Sequence, residues 1–312
     1  LILLVKSGGE AALPEWREVF AETAPHLDVR WWDDPTVRPE DVAYVLVWQP
    51  EPGRLARYPN LRAICSGAAG VDHITVDPDW PRHLPVIRMG GDETAQRMGE
   101  YIVFAALALL RDLPRMVRAY ATRTWDLFDA DRCAPEVTVG MMGLGNLGAR
   151  SAEMLRGVGF PVVGWSRTAK ALPGIEAFAG AEGLAPFLAR ADILCCLLPD
   201  TPQTRGIINA ETIARLPRGA AVLNAGRGSH VVMSDLVAAL DAGRLSAAVL
   251  DVFETEPLPP SDPVWRHEKI MVTCHIASLA SRRARARFVA EAIATLEAGG
   301  RPATLFDPTR GY

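Results

Sequence analysis

Short, unbroken apolar runs, separated by polar turns and by stretches with helical spacing, recur along the whole chain. Leu1 to Val5 is the first such run. It leads into the turn-prone Ser7-Gly8-Gly9, and Ala12 to Ala24, with Pro14 near its start, predicts a helix. Tyr44 to Trp48 repeats the pattern, followed by a connection through Pro50, Pro52 and Gly53, a short helix, and the run Ala63 to Cys65, which ends in Ser66-Gly67-Ala68-Ala69-Gly70. Pro85 to Ile87 is a further short strand, closed by Gly90-Gly91-Asp92. Apolar runs without polar alternation are buried on both faces, so their alternation with helices predicts a parallel sheet covered on both sides.

Glu93 to Leu113 reads as one long helix whose second half is apolar all round, which predicts burial on every side and a place between two domains. From Val137 the rhythm restarts. Strands are expected at Val137 to Met142, Val162 to Trp165, Ile193 to Leu198, Ala221 to Asn224, Ala247 to Val252 and Ile270 to Thr273. Helices between them include Leu147 to Val158, Gly183 to Ala189 and Ser234 to Ala242. Six strands make a full dinucleotide-binding sheet. A last helix, about Arg283 to Ala298, and the tail to Tyr312 fall beyond it and are expected to return to the first domain. The reading is α/β, with two parallel-sheet domains and a cleft between them: a discontinuous substrate domain at 1–100 plus 281–312, and a dinucleotide-binding domain at 101–280.

A length of 312 residues suits about two domains of roughly 150 residues. Charge narrows the partners: 33 basic and 37 acidic side chains, mixed along the chain, give a net charge of -4 and no bulk attraction for nucleic acid. The densest basic run, Arg282, Arg283, Arg285 and Arg287, is expected to be a solvated helix face. The longest fully apolar run, Tyr101 to Leu110, is about half of the roughly 20 residues needed to span a bilayer, and no charged leader precedes a small-residue cleavage site. A cytoplasmic protein without a membrane partner is expected. The five cysteines, Cys65, Cys133, Cys195, Cys196 and Cys274, lack metal-ligand spacing and read as small core side chains, so no metal site is expected.

Chemistry enters at the strand ends. Gly143, Gly145 and Gly148 stand where a strand becomes a helix, with Asn146 and Leu147 between them, and predict a turn that brings a dinucleotide pyrophosphate to a helix N-terminus. At the end of the next strand, where an NAD site offers a carboxylate to the ribose, the chain has Ser166-Arg167-Thr168-Ala169-Lys170. A hydroxyl with cations close by suits a 2′-phosphate, which predicts NADP in preference to NAD.

Three later strands end at Asn224-Ala225-Gly226-Arg227-Gly228, at Asp251-Val252-Phe253-Glu254-Thr255-Glu256-Pro257 and at Thr273-Cys274-His275-Ile276-Ala277. Arg227 has the planar fork that suits a carboxylate and a carbonyl oxygen gathering charge. His275 is the candidate proton donor to a forming alkoxide. Glu256, bonded to the ring's other nitrogen, would orient it and favour its charged form. Together they describe hydride transfer to a 2-oxo acid. The other histidines, His26, His73, His83, His230 and His267, lack this company and are expected to be incidental.

These stretches, with Leu198-Pro199-Asp200-Thr201-Pro202-Gln203-Thr204-Arg205-Gly206, resemble the D-isomer-specific 2-hydroxyacid dehydrogenases over most of the chain. The resemblance implies a flavodoxin-like substrate domain, a Rossmann NADP-binding domain, and Arg227, Glu256 and His275 as the catalytic three. It also implies cofactor contacts from Leu198, Pro199, Thr204, Ala225, Gly226 and Asp251, the last on the nicotinamide side. Backbone amides of Ala69 and Gly70 would hold the substrate carboxylate. Trp48 either lines a pocket for a small substrate or belongs to the core, and core is the favoured reading. The implied reaction is NADPH-dependent reduction of glyoxylate to glycolate and of hydroxypyruvate to D-glycerate. Tyr120 to Phe128, with Trp125, would be the projecting segment of a homodimer.

Competing readings are a nicotinamide-sensing corepressor-like protein, for which no disordered, motif-bearing extension is seen, and a dehydrogenase for a larger D-2-hydroxy acid. Formate dehydrogenases would have glutamine in place of Glu256. Phosphoglycerate dehydrogenases often carry an extra regulatory domain, for which no chain remains here.

Overall fold

The apolar runs become parallel strands in a computed structural model of the protein, which describes residues 1–308. The end of the expected tail, residues 309–312, lies outside the described residues. Two units separate, one made of Leu1–Thr94 and the chain from Leu279 onward, the other of Ala95–Ser278.

The first unit opens with β1 (Ile2–Lys6), α1 (Leu13–Thr23), β2 (Asp28–Trp31), β3 (Val42–Val47), β4 (Ala63–Ser66), the single-turn α2 (Asp72–Thr75) and β5 (Val86–Ile87). Its sheet is ordered β2-β1-β3-β4-β5, and every pairing is parallel. β3 is buried at all positions, as an unbroken apolar central strand must be. Between β1 and β3 the strand order reverses, and in open α/β sheets ligands bind outside the carboxyl ends of the strands at such a point.

The second unit begins in the first turn of α3 (Asp92–Leu110), which is followed by α4 (Leu113–Thr122). β6 (Val139–Met142), α5 (Asn146–Val158), β7 (Val162–Ser166), β8 (Glu176–Ala179), α6 (Gly180–Leu188), β9 (Ile193–Cys196), α7 (Ala210–Arg215), β10 (Ala220–Asn224), α8 (Met233–Asp241), β11 (Leu245–Leu250) and β12 (Ile270–Val272) complete it. The parallel sheet runs β12-β11-β10-β9-β6-β7-β8, so its order reverses between β6 and β9. The final helix, α9 (Arg282–Glu297), packs its Ala286, Val289 and Ile293 with Trp16, Val19 and Phe20 of α1 in the core of the first unit. Burying an apolar side chain of this kind is worth about 1.5–3 kcal/mol.

Several expectations need correction. The dinucleotide-type sheet has seven strands rather than six, because β8 (EAFA) escaped notice, as did β2 (DVRW) in the first sheet. Both are edge strands, half-solvated, and so need no unbroken apolar run. The long helix ends at Leu110 and α4 starts afresh from an Asp112 cap whose side chain accepts from the Arg115 N–H. α3 is not buried on every side: Ile102, Ala105 and Ala106 face the core, whereas Phe104 is 49% exposed. Cys133 and Cys274 are exposed, and only Cys65, Cys195 and Cys196 are core residues. Burial pushes the Cys65 and Cys196 thiols up to about 12, which keeps them unreactive. Arg285 is not solvated either; it is 8% exposed, with its guanidinium bonded to Ser7 Oγ at 3.0 Å and lying over Trp16. Among the described residues no helix is long and apolar enough to cross a membrane.

Candidate active site

Parallel strands deliver all their carboxyl ends to one edge of a sheet. In the second unit, β10, β11 and β12 are hydrogen-bonded neighbours, and Arg227, Glu256 and His275 follow them in that order. The loops meet closely. A Cβ on Gly228 would come within 1.9 Å of the Phe253 carbonyl carbon, so glycine after Arg227 is what lets the first loop lie against the second.

Glu256 reaches His275, its Oε2 standing 2.7 Å from Nδ1 of the ring. The other carboxylate oxygen accepts the Phe253 N–H at 2.8 Å, which fixes the side chain's orientation. Burial works to raise the Glu256 carboxyl, but the His275 ring, the Phe253 N–H and the Arg227 charge overcome it and hold the group below the usual carboxylate range.

His275 itself sits at φ 54°, a left-handed conformation that costs a non-glycine residue on the order of 1–3 kcal/mol. Asp251 over-determines that geometry. Its carbonyl accepts the His275 N–H at 2.8 Å, and its buried carboxylate accepts Ile276 N–H and Ala277 N–H, both at 3.0 Å. Thr273 Oγ donates to the same carboxylate at 2.5 Å, and so the Tyr101 hydroxyl, 2.7 Å from that Oγ, is the donor in turn. Burial raises the Tyr101 phenol above its ordinary value and keeps it a donor. The Asp251 carboxylate thus holds the loop that carries His275.

Arg227 is partly buried, with Nη1 donating to the Gly226 carbonyl at 2.8 Å. Its own carbonyl accepts from Asn224 Nδ2 at 2.8 Å. Its N–H donates to Nδ1 of His230 at 3.1 Å. His230 is fully buried, so it is not incidental. The sequence signal was there in a histidine three residues past the arginine, with glycines at 226 and 228.

The glycine fingerprint lies after β6, at the reversal of strand order. Gly143 adopts φ 102°, and a Cβ there would meet the Leu197 carbonyl oxygen at 2.8 Å. A Cβ on Gly148 would stand 1.9 Å from the Gly143 carbonyl oxygen, whereas one on Gly145 would meet nothing within 4 Å. Turn and helix packing therefore demand the outer glycines, and the open space at Gly145, where Asn146 and Leu147 begin α5, fits a pyrophosphate on the helix N-terminus. Ser166 ends β7 with its hydroxyl on the Thr168 carbonyl at 2.8 Å, and Arg167, Thr168 and Lys170 are exposed beside it. Leu198 and Pro199 follow β9, and Thr204 Oγ donates to the Pro199 carbonyl at 2.7 Å. Ala225 and Gly226 are buried after β10.

Trp48, Ala69 and Gly70 belong to the first unit. Trp48 is not core: it is partly exposed, with its ring 4.4 Å from that of His73. The Ala69–Gly70 loop winds around the Ser66 hydroxyl, which lies 2.8 Å from the Ala68 and Gly70 carbonyls and accepts the Ala68 N–H at 3.1 Å. Sequence reasoning missed Ser66, although a serine at a strand end before small residues is a known loop-forming signal.

Comparison with known proteins identifies the family. Residues 103–277 match the family model described as D-isomer specific 2-hydroxyacid dehydrogenase, NAD binding domain. The chain is 38% identical over 303 residues to glyoxylate/hydroxypyruvate reductase A of Serratia proteamaculans, covering 96% of each. Among solved structures it is similar to a D-isomer specific 2-hydroxyacid dehydrogenase from Xanthobacter autotrophicus in complex with NADPH and MES (TM-score 0.93, 41% identity, 100% of this chain and 99% of that one). It is similar also to an NADPH-dependent glyoxylate/hydroxypyruvate reductase from Sinorhizobium meliloti in complex with NADP and sulfate (TM-score 0.91, 36% identity, 100% and 99%).

Proposed function

The chain belongs to the D-isomer-specific 2-hydroxyacid dehydrogenase family, and from that membership we propose that it reduces glyoxylate to glycolate and hydroxypyruvate to D-glycerate with NADPH. The observation that carries the chemistry is the 2.7 Å contact of Glu256 with His275 Nδ1 beside the Arg227 loop. NADPH, held by its pyrophosphate at the β6 turn, would supply the hydride that the carbonyl carbon takes up. As that carbon is reduced, its oxygen needs one proton. Because Glu256 engages Nδ1, the proton the ring hands on is the one at Nε2. Arg227 supplies positive charge for the substrate carboxylate and for the oxygen as it becomes an alkoxide. Glu256 stabilises the imidazolium until the proton has moved.

NADP preference rests on Ser166 standing where a carboxylate would repel a 2′-phosphate, with Arg167 and Lys170 exposed beside it. A homodimer is supported by the apolar surface along the start of the second unit: Phe104, Val117, Tyr120, Trp125 and Leu127 are all exposed, the last three by 87%, 95% and 87%. The segment bearing Trp125 is pinned to α4 by Arg115, which bonds Asp126 at 2.5 and 2.7 Å and lies over the Phe128 ring. Sedimentation equilibrium tests this directly, since a monomer mass would end the dimer reading. All five cysteines are free, which supports a reducing, cytoplasmic setting.

The deciding experiment is a rate panel with NADPH and NADH against glyoxylate, hydroxypyruvate and a bulky 2-oxo acid such as phenylpyruvate. Turnover of the two small acids, faster with NADPH, is expected. Tight NADPH binding without turnover of any acid would instead favour a sensor, and preference for phenylpyruvate would move the substrate class.

A further inference from the structure

His230 is the one histidine of the second unit whose two ring nitrogens both face main-chain groups of the candidate site. Nδ1 stands 3.1 Å from the N–H of Arg227, and Nε2 stands 3.2 Å from the carbonyl of Pro199. An amide N–H can only donate and a carbonyl can only accept, so these neighbours select one form of the ring: neutral, with its proton on Nε2. The side chain is fully buried, and Cys196 Sγ lies 3.5 Å from Nδ1. A Cβ on Gly226 would approach Nδ1 to 2.9 Å, so the arginine loop is folded directly over the ring. His230 is also bonded through its main chain, its N–H donating to the Arg227 carbonyl at 3.2 Å and its carbonyl accepting the Ile208 N–H at 2.9 Å.

Building on the reductase reading, we propose that His230 is a positioning residue: its neutral imidazole bridges the backbone of the catalytic arginine to the Leu198-Pro199 loop after β9. Two loops from neighbouring strands are thereby locked at one relative setting. Asn224 holds the carbonyl of Arg227, and His230 holds its N–H, so both peptide groups flanking that Cα are fixed. A guanidinium aimed by such a backbone needs no reorganisation when substrate arrives. The ring does no acid–base work of its own, because it has no exposed nitrogen and its neighbours dictate where its proton stays. Burial pushes its pKa down; the Pro199 carbonyl and Asp200 oppose that shift, and the Arg227 and Arg205 charges add to it.

Three substitutions separate the two halves of the bridge. His230→Asn places an oxygen near the Nδ1 position and keeps an acceptor for the Arg227 N–H. His230→Gln places its amide near Nε2 and keeps a donor toward Pro199. His230→Phe keeps the volume and loses both. Displacing a reacting group by about 1 Å costs on the order of a hundredfold in rate. For His230→Phe, kcat/KM for glyoxylate is therefore expected to fall by about 30- to 100-fold, with the Kd for NADPH moving by less than about fivefold. His230→Asn is expected to recover about tenfold of that loss, and His230→Gln little of it. Hydrogen exchange in the cofactor-free protein supplies a second readout: the segment from Ala225 to Ser229 should exchange faster in the Phe and Gln variants and close to wild type in Asn.

Equal losses in the Asn and Gln variants, or kcat/KM and exchange within threefold of wild type in both, would overturn the proposal. The Asn–Gln comparison decides the matter even where His230→Phe does not fold. Wild-type protein that reduces no 2-oxo acid would overturn the reductase reading instead, while the exchange measurement would still judge the bridge.

Discussion

Replacing Glu256 with glutamine changes one atom and removes one charge, which makes it a sharp probe of how the candidate acid works. The wild-type carboxylate joins two donors, His275 Nδ1 at 2.7 Å and the Phe253 N–H at 2.8 Å. A glutamine keeps its oxygen on the Phe253 N–H and turns its amide toward Nδ1, so the ring stays oriented but must accept there. The ring then keeps a proton at Nε2 as a neutral imidazole and loses the anion that stabilised its charged form. Because Glu256 is held below the usual carboxylate range, a full charge is lost at pH 7. Two unit charges about 4 Å apart interact by about 4 kcal/mol at an effective dielectric of about 20. The side chains of His275 and Glu256 are 35% and 29% exposed, so water screens part of that and about 1.5–3 kcal/mol remains. The expected fall in kcat is about 10- to 150-fold. Initial rates at saturating NADPH and pH 7, with NADPH affinity measured by fluorescence quenching, check it. A kcat within threefold of wild type, at unchanged cofactor affinity, would show that Glu256 does not support the acid.

Other substitutions address the cofactor and the buried ring. Arg167→Ala should lower the NADPH-to-NADH ratio of kcat/KM by about 10- to 100-fold, as loss of a charge-assisted bond of about 1.5–3 kcal/mol requires; an unchanged ratio would remove Arg167 from cofactor selection. Gly145→Ala meets no protein atom, so it should weaken NADPH binding at least about tenfold with little change in Tm, whereas Gly148→Ala clashes with the Gly143 carbonyl and should lower Tm as well. Equal melting behaviour of the two variants would contradict that distinction. For His230 the sign follows from linkage: the folded ring resists protonation, while the unfolded ring takes a proton near the ordinary histidine value of 6.5. Its contribution is fully present above that pH and declines as pH falls toward the lowered folded value, by at most about 1.4 kcal/mol per pH unit. The stability gap between wild type and His230→Asn should therefore narrow from pH 7.5 to pH 5.5, and a gap independent of pH would refute the assignment.

Much of this molecule was legible because central parallel strands are apolar without interruption and deliver their ends to one edge. Arg227, Glu256 and His275 could be picked out on that ground, as could the turn at Gly143. Two edge strands were not legible, since Asp28 and Arg30 in β2 and Glu176 in β8 break the apolar signal that a half-solvated strand does not need, whereas the apolar edge strands β5 and β12 could be read. Contacts made by loops were harder still. His230 and Ser66 act through main-chain groups brought to them by the fold, so their only signals in the sequence were positional: a histidine three residues past Arg227 and a serine at a strand end. Burial was misjudged in both directions. Trp48 emerges past the end of β3 and is partly exposed, while Arg285 is drawn under the surface because α9 lies against α1 from its first turn.

The most direct test of the central claim is a single turnover of His275→Gln, with NADPH already bound and glyoxylate added by rapid mixing. The account predicts that NADPH binds with near wild-type affinity, and that its oxidation slows by at least about a hundredfold as the proton donor is lost. Oxidation at the wild-type rate would contradict it, because the imidazole could not then be what protonates the new alkoxide.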